Sequence, residues 1–387
     1  MGQGKKGYLP TLDGWRTVAI LAVIIDHVVA YEFHTDSSVL MSVTRIGPNG
    51  VSLFFAISGF LICSRLLEEH EATGRISLSG FYIRRASRIL PPAMTYLIII
   101  GILGLTGWIL VSPLEWWSCV FFFRNYLPRG AITSGWGGYT IHYWSLAVEE
   151  HFYLIWPTLL VLSGPKKSRW VAGGLALVVA CWRSWDFRHQ IFASHVPGVL
   201  FASRTDTRLD GLLMGCLAAL LLADSRWRER FLRIMRPWMW AACVAVYLGL
   251  QILFRRHYYT LFESVLLAVI VATTVLRPET WVARLLELSW MRWIGRLSYS
   301  LYLWQQFFLE PGAKSPLSQL QRFPVNLVLL FAVAALSYRF VERPLIRLGH
   351  RLAPPPSPGR QDAEPVAREE DQAPVEDILG TGPGEAA

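Results

Sequence analysis

About ten stretches of this chain, each close to the length of one bilayer crossing, are built almost wholly of apolar residues. A hydrocarbon core about 30 Å thick takes roughly 20 apolar residues of helix to cross, and inside it only helices and closed barrels satisfy every backbone amide. The runs fall near 12–33, 48–67, 93–112, 142–163, 170–187, 207–223, 237–254, 259–276, 294–310 and 325–342. The expected fold class is therefore all-α, a polytopic membrane protein of about ten transmembrane helices. Residues 114–126 hold Trp116, Trp117 and Phe121 to Phe123; they are too short to span and read as an interfacial or re-entrant helix in an aromatic belt. With 53% hydrophobic and 17% charged residues among 387, the charges are too few to cover a soluble domain. A soluble enzyme, a collagen-like fibre and a disordered scaffold are excluded.

The formal net charge of +9 lies in short clusters between apolar runs instead of on one soluble face, so no nucleic-acid partner is expected. With the N-terminus inside, 23 Lys and Arg fall on the cytoplasmic side against 11 on the other, which predicts a multi-pass plasma-membrane protein with both termini cytoplasmic. Residues 353–387 carry eight acids against Arg360 and Arg368, with seven prolines. They are expected to be a disordered acidic tail after a transmembrane domain over 1–352. The five cysteines, Cys63, Cys119, Cys181, Cys216 and Cys243, have neither disulfide nor metal-ligand spacing, so no metal is expected. Gly2-Gln-Gly4-Lys-Lys-Gly7 fits GxGxxG, but no strand precedes it and no βαβ unit follows. The first apolar run is long and has no small-residue cleavage pattern, so a removable signal peptide is not expected.

Ionisable side chains inside a span cost several kcal/mol, so each needs a partner or a task. The first run carries Asp13, Arg16, Asp26 and His27. Arg16 and His27 are eleven residues apart, about three turns plus 20°, which puts them on one face about 16 Å apart along the axis. Either Arg16 snorkels to headgroups and His27 is hydrogen-bonded in the bundle, or a cation at the cytoplasmic mouth and a deep proton acceptor face one cavity. Adjacent Asp26 favours the second. In the fourth run Ser145, Glu149 and Tyr153 share a face at i, i+4 and i+8. Glu149 fits structural pairing or chemistry equally, whereas Glu150, about 100° round the helix, fits structure better. Between the second and third runs, Phe81 to Pro92 reads as an amphipathic surface segment in which Arg85 and Arg88, one turn apart, suit phosphates or anionic lipid.

Read in order, these segments resemble the membrane acyltransferase 3 family across residues 8–347. Leu12-Asp-Gly-Trp-Arg16 with His27 is similar to the family's Arg-x10-His first helix, and Gly50 to Leu61 to its second-helix signature. Arg85-Ala-Ser-Arg88 resembles its RxxR element, and Trp144-Ser-Leu-Ala-Val-Glu149-Glu150-His-Phe-Tyr153 its WSLxxEExFY block. Arg208-Leu-Asp210 with Gly215, Leu297 to Trp304, and Ser337 to Pro344 continue the series. Many relatives place His after the LYLW block, where this chain has Gln305, which cannot take a proton near pH 7.

The resemblance implies transfer of an acyl group from a coenzyme A thioester to a hydroxyl, with acyl-CoA as co-substrate and no permanently bound cofactor. It implies His27 as general base, helped by Asp26 or Glu149, and Arg16, Arg85 and Arg88 as the phosphate grip. Ser145, Tyr153, Arg208 and Asp210 are supporting positions in the matching motifs. A transient acyl-histidine would be the covalent variant. No esterase-like domain is expected, so the chain reads as a stand-alone transferase. Its stand-alone architecture, its GC-rich coding, with Arg outnumbering Lys 32 to 5, and its overall similarity to the macrolide branch of the family imply a macrolide antibiotic as acceptor. A cell-envelope carbohydrate is the alternative acceptor. A secondary transporter would need two related halves with matching broken helices, which the sequence does not show. A scaffold without chemistry leaves the cost of Asp26 and His27 unexplained.

Overall fold

The computed structural model describes residues 9–32, 47–131, 138–253, 260–309 and 316–354. Among them every regular element is helical. The long elements are α1 (Pro10–Glu32), α2 (Gly47–Thr73) and α3 (Leu78–Leu105), then the short α4 (Pro113–Val120), and α5 (Tyr143–His189). After α6 (Ile191–His195) and α7 (Thr205–Arg208) come α8 (Asp210–Ala223), α9 (Ser225–Ile234), α10 (Pro237–Leu253) and α11 (Thr260–Leu276). α12 (Trp281–Leu286), α13 (Ser289–Leu309), α14 (Val325–Ser337) and α15 (Arg343–Leu352) complete the chain. Three stretches are long and apolar enough to cross a membrane: Gly47–Thr73, Leu78–Leu105 and Val325–Leu352. Large apolar side chains such as Ile98, Ile102, Leu154 and Leu162 face outward, as lipid-facing residues do. Of the expected tail only residues 353 and 354 are described.

Three expectations need correcting. The third run does not start at 93. Residues 81–92 are the first half of α3, opened by Ser77, whose Oγ accepts from the Gly80 amide at 3.1 Å. Pro91 and Pro92 sit inside that helix and remove two amide donors. On the same stretch, the hydroxyls of Tyr299 and Tyr143 donate to the carbonyls of Ile89 and Ala93, each at 2.8 Å. The basic segment is thus locked in the bundle and does not lie free on a surface. Second, the fourth and fifth runs are two helices, as expected, but the fifth starts at 165 instead of 170, with Gly164 alone between them. Gly164 takes φ 71° and ψ 161°, a left-handed backbone that only glycine enters easily, and Pro165 restarts the helix. Third, α14 continues through a π turn at Tyr338–Glu342 into α15, past residue 342, where the tenth run was expected to end.

The core is set by small residues. Side chains at Gly59 or Gly215 would collide with the backbone of Leu212 and of Ala56 respectively, so α2 and α8 touch backbone to backbone. That crossing holds Phe55, Ile57, Phe60 and Leu213 in one buried cluster. Ser112 and Glu115 form a capping box that starts α4, whose Cys119 joins the buried cluster.

Candidate active site

Two cavities meet at three arginines. The outer one, about 760 Å³, is walled by α1, α2, α3, α13, the π turn and α15; the inner one, about 80 Å³, lies between α1, α2, α3, α5 and α13. Arg16, Arg85 and Arg88 line both. In the outer cavity, Arg65 pairs with Glu68 and Arg84 with Glu69, each at 2.9 Å. Arg16 reaches Asp13 only at 3.5 Å. Arg85 and Arg88 have no carboxylate within ion-pair distance among the described residues, and Arg85 instead lies over the Tyr153 ring, 5.1 Å from its centroid. Unpaired guanidinium groups at a cavity neck suit phosphate oxygens, which accept two parallel hydrogen bonds from one Arg.

In the inner cavity Glu149 is held by hydroxyls. Its Oε1 accepts from Ser58 Oγ at 3.0 Å and its Oε2 from Tyr153 at 2.7 Å. Ser145 Oγ and the Tyr302 hydroxyl are 2.6 Å apart, and both donate to the His142 carbonyl at 3.2 Å. Ser145, Glu149 and Tyr153 thus share the wall that their spacing places on one face of α5. Glu150 lines the same cavity, despite the 100° that separates neighbours on a helix.

The expected catalytic group is not assembled in one place. Asp26 and His27 line neither cavity. His27 Nδ1 lies 2.8 Å from the Val23 carbonyl, which only accepts, so Nδ1 carries the hydrogen and Nε2 the lone pair. Asp26 packs against Gly47 at the start of α2, where a Cβ would come within 2.5 Å of its carboxylate. Arg208 and Asp210 hold helices together. Asp210 forms a two-pronged ion pair with Arg183 at 2.9 and 3.1 Å. Arg208 donates to Ser52 at 3.0 Å and stacks on Phe55 and Trp144. Gln305 is fully buried.

Ser58, Glu150, Tyr302, Glu342 and Arg296 also line the cavities. Of these, Ser58, Glu150, Tyr302 and Glu342 lie in motifs visible in the sequence, Ser58-Gly-Phe, WSLxxEE, LYLW and Val-Glu-Arg-Pro, whereas Arg296 just precedes the Leu297 block with nothing to mark it. Among the described residues no cluster of His, Cys, Asp and Glu could hold a metal ion.

Sequence comparison gives the family. The acyltransferase domain profile matches residues 9–340. Peptidoglycan O-acetyltransferase OatA of Listeria monocytogenes is 28% identical over 379 residues, covering 88% of this chain and 56% of that protein. A candidate O-acetyltransferase of Staphylococcus aureus strain COL is 29% identical over 366 residues, covering 89% and 58%. A candidate peptidoglycan O-acetyltransferase of Bacillus subtilis, YrhL, is 28% identical over 382 residues, covering 89% and 56%. The chain thus spans a little over half the length of these relatives. No solved structure matches it. With the profile running from the start of α1 into the π turn, over most of the chain, the chain belongs to the acyltransferase 3 family.

Proposed function

We propose that the protein is a membrane O-acyltransferase that moves an acetyl or other short acyl group from acyl-CoA to a hydroxyl of a cell-envelope carbohydrate. The observation that carries this reading is the neck of three arginines between a wide outer cavity and a narrow inner one. Coenzyme A has the matching shape, with a bulky phosphorylated nucleotide, then a thin pantetheine arm. Arg16, Arg85 and Arg88 grip the phosphates, and the arm passes Glu149, Tyr153 and Ser145. The drop of about 16 Å along α1 from Arg16 to His27 suits the reach of an extended arm. His27, with its lone pair on Nε2, takes the proton of the acceptor hydroxyl as that oxygen attacks the thioester carbonyl. The thiolate of coenzyme A leaves and receives a proton. Glu149, away from His27, positions Tyr153 and Ser58 along the arm.

The acceptor reading departs from the macrolide expected from the sequence. The relatives named above are peptidoglycan O-acetyltransferases where a substrate is named, which favours the carbohydrate alternative. The topology that goes with this function is about ten crossings with both termini cytoplasmic, so that the outer cavity opens toward the cell's acyl-CoA. Protein purified in detergent should release free thiol from acetyl-CoA and add 42 mass units to a carbohydrate acceptor, the difference between acetyl and hydrogen. Thiol release that no acceptor accelerates would refute the transfer reading.

A further inference from the structure

His142 stands immediately before α5, buried, and neither of its ring nitrogens has a hydrogen-bond partner. Two more buried polar atoms are in the same state, Nε1 of Trp304 and, on the next residue of α13, Oε1 of Gln305. The Tyr96 ring ties the group together, edge-on at 5.3 Å to both His142 and Trp304, and Tyr302 meets His142 at 5.7 Å. Folded chains pair nearly all their buried polar groups. An imidazole, an indole N–H and an amide oxygen left open together weaken the fold unless a bound molecule uses them.

The three groups define what that molecule is. Trp304 Nε1 only donates, Gln305 Oε1 only accepts, and the imidazole does one with each nitrogen. Around them stand the faces of tyrosine rings. Hydroxyl groups both donate and accept, and the C–H faces of a sugar ring pack on aromatic rings, so the set fits a carbohydrate. Its position fits too. The His142 carbonyl is held by Ser145 and Tyr302, which line the inner cavity, and His27 lies within electrostatic reach of the His142 ring. This is where the thioester end of a donor threaded through the inner cavity would arrive.

We infer that His142, Trp304 and Gln305 form the acceptor subsite, binding the hydroxyls of a carbohydrate and holding one of them at the end of the inner cavity. The inference rests on the O-acyltransferase reading above and adds where the acceptor sits. It also gives Gln305 a task that needs no proton transfer, that of orienting a hydroxyl.

The test uses full-length protein in detergent, acetyl-CoA as donor and chitotetraose as the probe acceptor, with thiol release, mass of the acetylated product, acetyl-CoA binding and thermal melting as readouts. His142→Phe and Gln305→Leu remove the open polar groups and keep the volume nearly filled. Each should lower transfer to chitotetraose about 100-fold or more, as sites built to hydrogen-bond a substrate do when a partner is removed. Acetyl-CoA affinity should stay unchanged. Melting should stay level or rise, because His142→Phe loses no side-chain hydrogen bond of the unliganded protein and Gln305→Leu loses only a long one to Gln306, at 3.5 Å. Should His142→Phe fail to fold, His142→Gln keeps polarity and should raise the acceptor KM more than it lowers kcat. Transfer close to wild type in these variants, or a fall in melting temperature accompanied by loss of acetyl-CoA binding, would overturn the subsite. Wild-type protein that transfers acetyl to another acceptor but not to chitotetraose would overturn the carbohydrate class alone. Wild-type protein that does not bind acetyl-CoA would overturn the parent reading and this one with it.

Discussion

Replacing Arg88 by Ala removes a guanidinium that lines both cavities and has no ion-pair partner among the described residues, so little of the unliganded structure depends on it. A charge-assisted hydrogen bond to phosphate is worth about 1.5–3 kcal/mol, which at about 1.4 kcal/mol per decade raises the acyl-CoA KM about 10- to 150-fold. The kcat at saturating donor should hold. Arg85→Ala is predicted to behave differently. Its guanidinium also rests on Tyr153, 5.1 Å from the ring centre, and Tyr153 donates to Glu149 at 2.7 Å. Removing it costs the phosphate contact plus a cation–π contact of about 0.5–2 kcal/mol, and frees the side chain that orders the inner cavity, so kcat falls as well as KM rising. Arg→Lys should restore part of the KM at either position, because a point charge remains but the two-pronged geometry does not. Steady-state kinetics with acetyl-CoA varied at fixed acceptor separates the cases. Unaltered donor KM in both alanine variants would refute the phosphate grip and leave the pair as an anchor for anionic lipid.

His27→Asn keeps a hydrogen-bonding group but accepts no proton, so transfer should fall about 10²- to 10⁴-fold with acetyl-CoA binding retained; activity within a few-fold of wild type would remove His27 from the mechanism. Glu149→Gln leaves Ser58 and Tyr153 facing an amide that can accept from them on one atom only, and should reduce kcat less than His27→Asn does, measured in the same assay. Arg183→Met strips the buried partner of Asp210, and by the usual cost of breaking such a pair should lower stability by about 3–5 kcal/mol, read by thermal melting, without a specific effect on donor KM. Reporter fusions after Arg169 and Arg236 should read cytoplasmic, and one in the connection between α10 and α11 should read outside; an inside signal there would refute the ten-crossing topology.

Much of the helical order was legible because apolar runs of membrane length admit few alternatives, and because Ser145, Glu149 and Tyr153 announce a shared face by spacing alone. The failures have definite physical sources. Periodicity cannot show that Pro91 and Pro92 are tolerated inside α3, because a proline pair reads as a helix end until the packing of α5 and α13 along that stretch is seen. It started the fifth run too late, at 170, because one glycine with a positive φ is enough to separate two helices and no loop is needed. The same argument that put Arg16 and His27 on one face did not say that the cavities would reach only Arg16. His142 was passed over for a similar reason: a lone histidine ahead of an apolar run reads as packing until its empty nitrogens are visible in three dimensions.

The buried charges fall into two kinds, and only one points to chemistry. Arg183 with Asp210, Arg204 with Asp186 at 2.7 Å, and Arg124 with Glu115 at 3.7 Å are neutralised where they stand. Each links two different elements, so the cost of bringing the charges out of water is offset by partners that also fix how those elements meet. Arg85 and Arg88 face open space with no such partner, although their helix could have carried any apolar residue there at lower cost. A membrane protein keeps such cations only where an anion visits. Because these two share their cavity neck with Arg16 of a different helix, the proposed donor suits them: a phosphorylated nucleotide is large enough to touch α1 and α3 at once, and a single chloride is not.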